Sequence, residues 1–342
     1  MAELPLGGFE VVSELGQIAA SGQGTVAQRA EAVLEALHRL VPFQAAVIHL
    51  LDPDRRAATP VVSRGYGAAV SEFMASPANS EEIELFGLAR DRAALRLRDL
   101  PVPAERVRVW AEYLWPAGFR EGLAVGLFTA DGRHLGVLGL NTDTDRHPTE
   151  AARDLIGALA PTIAKAVDPT RSIAEMARIV SPARAGILLT RAGNALPLSG
   201  LPGHPLLDVG STVLAVVARQ LLGSGGYGSF LCPDGAPDAV RSHVRITLLA
   251  CPPDAPQYMV AVVLLSPPGD LLGLTDRELE ILGLLVEGWP NRRIAAALYI
   301  AQRTVAAHIE HILPKLGAPT RTLAAVRALR LGLYVPLPLA VI

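Results

Sequence analysis

Residues 274–317 read LTDRELEILGLLVEGWPNRRIAAALYIAQRTVAAHIEHILPKLG, and this stretch decides how the chain divides. Thr275 followed three residues later by Glu278 is a capping-box pattern. In it the hydroxyl takes a first-turn N–H while the carboxylate reaches back to the cap's own N–H. Leu279, Leu282, Leu285 and Val286 then repeat at helical spacing, and Gly288 offers a stop. The same reasoning predicts a short helix over Asn291–Leu298 that buries Ile294, Ala295 and Leu298. After a turn at Tyr299–Ala301 it predicts a longer helix over Gln302–Leu316, ended by Gly317. There Val305, Ile309, Ile312 and Leu316 share one face. A fourth helix, about Thr320–Leu331, is expected to pack through Leu323, Val326 and Leu329. Periodicity alone thus yields four short amphipathic helices, the second and third joined by a tight turn.

Charge separates this segment from the rest. The chain of 342 residues has a formal net charge of −2. Between Leu271 and Tyr334 eight basic side chains face five acidic ones, a net of +3 that leaves −5 for the remainder. A basic module on an acidic body suits a phosphate-binding end joined to a soluble partner-sensing end.

The pattern Leu274-Thr275-x-Arg277-Glu278-x-Glu280-Ile281-Leu282, Gly288, Asn291, Ile294-Ala295, Leu298, Thr304-Val305, His308, Ile312, Lys315-Leu316-Gly317 and Arg321 resembles the LuxR family over about 60 ungapped residues. The resemblance implies an all-α four-helix helix-turn-helix domain, double-stranded DNA as partner, and a bacterial transcription factor acting as a homodimer, with RNA polymerase as a further partner. Carried over by position, Thr304 and Lys315 are implied to touch phosphates, with Arg303 and Arg321 beside them. Ala306, Ala307, Glu310 and His311 are implied to face base edges, where sequence is read. His308 sits at a family position and is read as a packed, hydrogen-bonded histidine. The chain departs from the pattern in four places: Ala306 where a lysine is frequent, Ala301 where a serine caps, Arg293 for a glutamate, and Pro314 inside the recognition helix. These departures make the operator unpredictable from the family, and the modest positive charge of 302–316, Arg303 and Lys315 against Glu310, keeps open an alternative, a co-regulator that works through protein contacts with little DNA binding of its own.

Ahead of this segment, 342 residues leave room for one or two further domains. Residues 9–41 follow a helical period, Ala45–Leu51 reads as a buried strand, and Pro60–Tyr66 as a second. Apolar runs Gly122–Thr129 and Leu135–Asn141 flank Ala130-Asp131-Gly132-Arg133, a strong hairpin signal. A helix over 148–167 follows, in which Pro161 should kink or restart the chain. This order resembles a GAF domain over about 9–168, and implies an α/β sensor. Strands at Ala185–Thr190, Tyr227–Cys232, Val240–Cys251 and Tyr258–Ser266, with a helix at Ser211–Leu222, make a PAS-like α/β unit. Ser266–Asp270 reads as its linker onward. The expectation is therefore an α+β multidomain chain: 1–168 GAF-like sensor, 171–268 PAS-like middle domain, 271–334 LuxR-type domain. The helical segment 148–180 is expected to couple sensor to output.

What is sensed is bounded by exclusion. Lys165 is the one lysine before the last domain and the receiver-type acidic arrangement is missing, as is GxxxxGK[ST]. No cysteine lies in 9–168 to anchor a bilin, and the cyclic-nucleotide pattern NKxF…DE is absent. A small apolar effector, a protein partner or no ligand at all remains. Trp110, Tyr113, Trp115 and Phe119 are candidate pocket residues, with ordinary core as the competing reading. His49 is read as a satisfied core histidine in preference to a haem ligand. No cofactor and no metal are expected. Cys232 and Cys251 have no metal-ligand or catalytic spacing and read as buried structural thiols, so no enzyme is expected. The stretch MAELPLGGFEVV has no basic region before an apolar core, and the longest apolar run, Tyr258–Leu265, is far short of the roughly 20 residues that span a bilayer. A reduced, cytoplasmic location without membrane contact is the expectation.

Overall fold

Six consecutive buried residues, Ala45 to Leu50, set the architecture of the first half, because a strand buried on both faces needs cover on both. The computed structural model describes residues 7–340 apart from 22, 56, 92, 172, 175–181, 199, 224–225, 235–241 and 253–254. It falls into two compact units, Met1–Arg171 and Ser172–Ile342.

In the first unit, helices α1 (Gly8–Ser21) and α2 (Val26–His38) precede strands β1 (Ala45–Asp52) and β2 (Ala57–Arg64). Helices α3 (Ala68–Met74) and α4 (Pro77–Leu85), strand β3 (Leu95–Arg96) and a π-helical turn at Val109–Leu114 lead to the hairpin β4 (Glu121–Phe128) and β5 (His134–Thr142). Helix α5 (Glu150–Val167) ends the unit. All strands pair antiparallel in the order β2-β1-β5-β4-β3. One sheet face packs Ile48, Leu138 and Leu140 against Leu15, Leu34, Leu37, Ile156 and Ile163 of α1, α2 and α5. The opposite face packs Ala45 and Val47 against Val70, Met74, Trp110 and Leu114.

Pro161 does not restart α5, which runs through it to Val167. The buried row Ile156, Leu159, Ala160, Ile163, Ala164 and Val167 outweighs the lost backbone bond. Strand β2 begins three residues before the expected Pro60. It is an edge strand, where a proline leaves no ladder bond wanting, and the register slips beside it at Ile48/His49.

The second unit holds β6 (Ala185–Thr190), β7 (Ala195–Pro197), helix α6 (Thr212–Gly223), β8 (Tyr227–Pro233), β9 (His243–Ala250) and β10 (Met259–Ser266). Its sheet order, β7-β6-β10-β9-β8, repeats that of the first. Val240 and Arg241 of the expected third strand, and residues 175–180 of the expected coupling helix, lie outside the described residues. Four helices follow: α7 (Asp276–Val286), α8 (Asn291–Ala297), α9 (Gln302–Lys315) and α10 (Arg321–Leu331), then the short α11 (Leu337–Ala340). Thr275 and Glu278 form the expected capping box.

The sheet and the helices, read from sequence as separate domains, share one core. Phe230, Ile246 and Val263 of the strands cluster with Leu279, Ile281 and Leu282 of α7 and with Tyr334, Val335 and Leu339 beyond α10. The segment after α10 makes the joint. Leu231 N–H on edge strand β8 donates to the Tyr334 carbonyl at 2.9 Å, and Val335 N–H donates to the Leu279 carbonyl at 3.2 Å. Gln220 Nε2 donates to the Tyr334 hydroxyl at 2.8 Å. Gly283 permits the approach: a Cβ there would lie 1.9 Å from the Val335 carbonyl oxygen. Nor is Ser266–Asp270 slack, since Arg245 donates to the Pro268 carbonyl at 2.8 Å and to the Leu331 carbonyl at 2.7 Å.

The fourth helix corrects its expected face. Ala324 and Ala328 are fully buried, whereas Val326 and Leu329 are 39% and 52% exposed. Small side chains let α10 lie close to α7, and the large apolar ones turn outward. If the shared core stabilises the helices, a 271–342 fragment will melt at least about 10 °C below a 172–342 fragment, the cost of exposing several buried side chains. Circular dichroism melts compare them, and coincident midpoints would refute the coupling.

Candidate functional site

Helix α9 has two faces. Val305, Ile309 and Ile312 are buried against α7 and α8. Arg303, Ala307, Glu310 and His311, at spacings of four, three and one, are exposed, with Thr304 and Ala306 half-buried at the margin. Six of the eight residues implied to meet DNA therefore lie on the outward side of one helix. Its N-cap, Ala301, makes no side-chain bond, so the first N–H groups of α9 have no side-chain cap. The turn before it holds Tyr299 at φ +52° and 96% exposed. Pro314 sits inside α9 without ending it.

The other two implied contacts are engaged internally. Lys315 Nζ reaches both Glu278 carboxylate oxygens at 2.9 and 2.7 Å. Burial alone would lift the Glu278 carboxyl, but Lys315 and the Thr275 donors outweigh it and hold the group below the ordinary carboxylate range. Arg321 donates to Asn291 Oδ1 at 3.0 Å and to the Trp289 carbonyl at 2.6 Å. Arg293, which stands where the pattern has a glutamate, lies 3.7 Å over the Trp289 ring. Arg277 joins α7 to the end of α8 through the Leu298 carbonyl at 2.7 Å. These ties fix the angle between the helices that frame α9.

Residues 272–328 match the family described as bacterial regulatory proteins, luxR family, and residues 23–168 match the GAF domain family. A GAF domain precedes a LuxR-type helix-turn-helix domain. The transcriptional regulatory protein LnrK of Bacillus subtilis is 29% identical over 155 residues, 42% of this chain and 70% of that protein. The DNA-binding transcriptional activator DevR/DosR of Mycobacterium tuberculosis is 48% identical over 61 residues, 18% of this chain and 28% of that protein. The transcriptional regulatory protein LiaR of Bacillus subtilis is 53% identical over 57 residues, 17% and 27% of the two chains. This chain thus spans only about a quarter of the length of the last two. No helix among the described residues is long and apolar enough to cross a membrane.

The GAF domain has a half-open cavity of about 120 Å³ between the β1/β4/β5 face and the cover formed by α3, α4 and the π-helical turn. Val47, Met74, Phe86, Leu114 and Trp110 line it, with His49, Tyr66, Asn79 and Asn141 as polar members. Of the four aromatic candidates only Trp110 reaches it. Tyr113 stacks on Phe73 at 4.3 Å, Trp115 meets Trp110 edge-on at 6.5 Å, and Phe119 lies 5.8 Å from Tyr66. Tyr113 lies in the π-helical turn, Trp115 caps it and Phe119 follows it, and all three pack in the core beneath the cavity's cover, which is the competing reading of these aromatics.

His49 also departs from its expectation. It is 3% exposed, yet among the described residues Nε2 has no hydrogen-bond partner. Burial pushes the imidazole down to about 4, with a backbone hydrogen bond at Met74 partly opposing. Tyr66 donates to Asn141 Oδ1 at 2.5 Å, and burial holds its hydroxyl protonated well above the ordinary range. The signal for these residues was faint in sequence, one polar side chain in each of two apolar strands.

Two measurements follow. Lys315→Met should cost about 1–3 kcal/mol in urea unfolding, because a buried carboxylate loses its partner. A carboxyl depressed in the fold stabilises above its unfolded value near 4.3, so the deficit should shrink as the pH falls below that. For His49 the depressed imidazole stabilises above about 6.5, and the contribution is lost as the pH falls towards about 4. His49→Leu should therefore flatten that acid loss by up to about 3 kcal/mol. Superimposable pH profiles for wild type and variant would contradict the assignment.

Proposed function

We propose that this chain is a sequence-specific DNA-binding transcriptional regulator whose GAF domain senses a small apolar molecule. The observation that carries the reading is the outward row Arg303, Thr304, Ala307, Glu310 and His311 on a helix anchored by Val305, Ile309 and Ile312. A helix held by one face and exposed by the other suits the major groove. Arg303, Thr304 and the uncapped N-terminus of α9 would take phosphates, and Ala307, Glu310 and His311 would meet base edges.

Residues 171–268 serve on this reading as a PAS-like relay, and the chain works in the cytoplasm as a homodimer that engages RNA polymerase. The neighbouring apolar side chains Val326 and Leu329 on one side of α10, 39% and 52% exposed, support a second copy as their cover. No catalytic role is proposed. Burial pushes the Cys232 and Cys251 thiols up to about 12 and about 11, away from nucleophilic thiolates.

A second reading, a co-regulator with little DNA binding of its own, is favoured by one observation: Lys315 and Arg321 are both spent on internal bonds. Selection from a pool of random duplexes with the full-length chain decides between them. A regulator is expected to retain a partly symmetric site and to lose affinity steeply with salt. Arg303→Ala should weaken binding evenly across sequences and lower the salt slope by about one, whereas Glu310→Ala should change which sequence is retained. Retention of no duplex at low salt would leave the co-regulator reading standing.

A further inference from the structure

We infer that the GAF cavity takes an uncharged, single-ring-sized molecule carrying one hydroxyl or N–H, and that His49 is the side chain that recognises that group. The inference rests on the reading of residues 23–168 as a sensor and names the chemistry of what is sensed.

Three observations carry it. The first is size. About 120 Å³ is close to the roughly 150 Å³ of a dry cavity that holds benzene, so one ring fits and two do not. Gly122, on the cavity wall, keeps this space open, since a Cβ there would come within 2.8 Å of Trp110 Cζ2 and 2.5 Å of Asn141 Nδ2.

The second is charge. The two charged side chains that line the cavity, Glu82 and Arg96, are already committed. Glu82 accepts from Arg108 N–H at 2.7 Å and Val109 N–H at 3.1 Å, and Arg96 forks onto Asp99 at 2.8 and 2.9 Å. A charged ligand would enter a largely apolar chamber whose own charges are already engaged within the protein.

The third is the imidazole. His49 lines the cavity, is 3% exposed, and leaves Nε2 without a hydrogen-bond partner among the described residues. Neutral imidazole always offers one donor and one acceptor, and a hydroxyl pairs with either. The remaining polar neighbours serve each other: Tyr66 with Asn141, and Asn79 with the Met74 carbonyl at 2.9 Å. An unmet polar atom in a chamber of this size is a requirement that a ligand with one matching group satisfies.

Titration calorimetry on the full-length chain, without DNA, tests this with four probes of one ring each: phenol, benzene, benzoate and benzylamine. Phenol is expected to bind about tenfold more tightly than benzene, and the two ions to bind more weakly than either. In His49→Leu, phenol and benzene should converge. Phenol no tighter than benzene, or benzoate as tight as phenol, would overturn the inference on wild type alone, whether or not the variant folds. An undiminished phenol preference in folded His49→Leu would also overturn it. Because no DNA is present, failure here leaves DNA binding intact, and failure of DNA binding leaves this result readable.

Discussion

Both halves of the molecule answer one constraint: a five-stranded antiparallel sheet with apolar residues on both faces must be covered on both. In the first unit α1, α2 and α5 supply one cover as long, regular helices, and Ile156, Ile163 and Leu34 pack fully against the strands. The other cover is assembled from short pieces, α3, α4 and a π-helical turn. Short pieces meet a twisted sheet imperfectly, and the gap between them is the cavity. The chamber is thus a by-product of asymmetric cover, and His49 lies in it because alternate residues of β1 point to that face.

The second unit solves the same problem differently. Leu188, Leu198, Val262 and Leu264 form a cluster on one face of its sheet, while Ile187, Phe230, Ile246 and Val263 join the core that extends into the helices. Cover for that face comes from α6 and from the LuxR-type helices themselves. The consequence for function is mechanical. Arg245, Tyr334 and Val335 bind sheet and helices as one body, so a change in the sheet is felt at the helices without a flexible link.

Much of this was legible beforehand, and the failures have physical causes. The strand Ala185–Thr190 and the capping box at Thr275 were read in place, because local pattern and tertiary role agree there. The start of β2 was missed because an edge strand tolerates Pro60. The face of α10 was missed because alanine, weakly apolar on any scale, outcompetes leucine where two helices must come close. Trp110 was found and His49 was noticed but read as satisfied core, whereas Tyr66 and Asn141 were missed. A cavity is a property of residues distant in sequence, and no periodicity records the space between them. Lys315 and Arg321 sit at family positions, but position does not say that Glu278 and the Trp289 carbonyl will claim them first.

The contact between Gly283 and Val335 bears on how such a chain could be rearranged. Two relatives, DevR/DosR and LiaR, match this chain over only 61 and 57 residues, about a quarter of their own length, as though the helical segment were an interchangeable cassette. Here the residues just beyond that segment cross back over α7 and close the open edge of β8. A graft that moved 272–328 to a new host would strip that edge and leave Leu231 N–H unpaired. Here the readout helices are soldered to the sheet that precedes them, and a transplant would have to carry both.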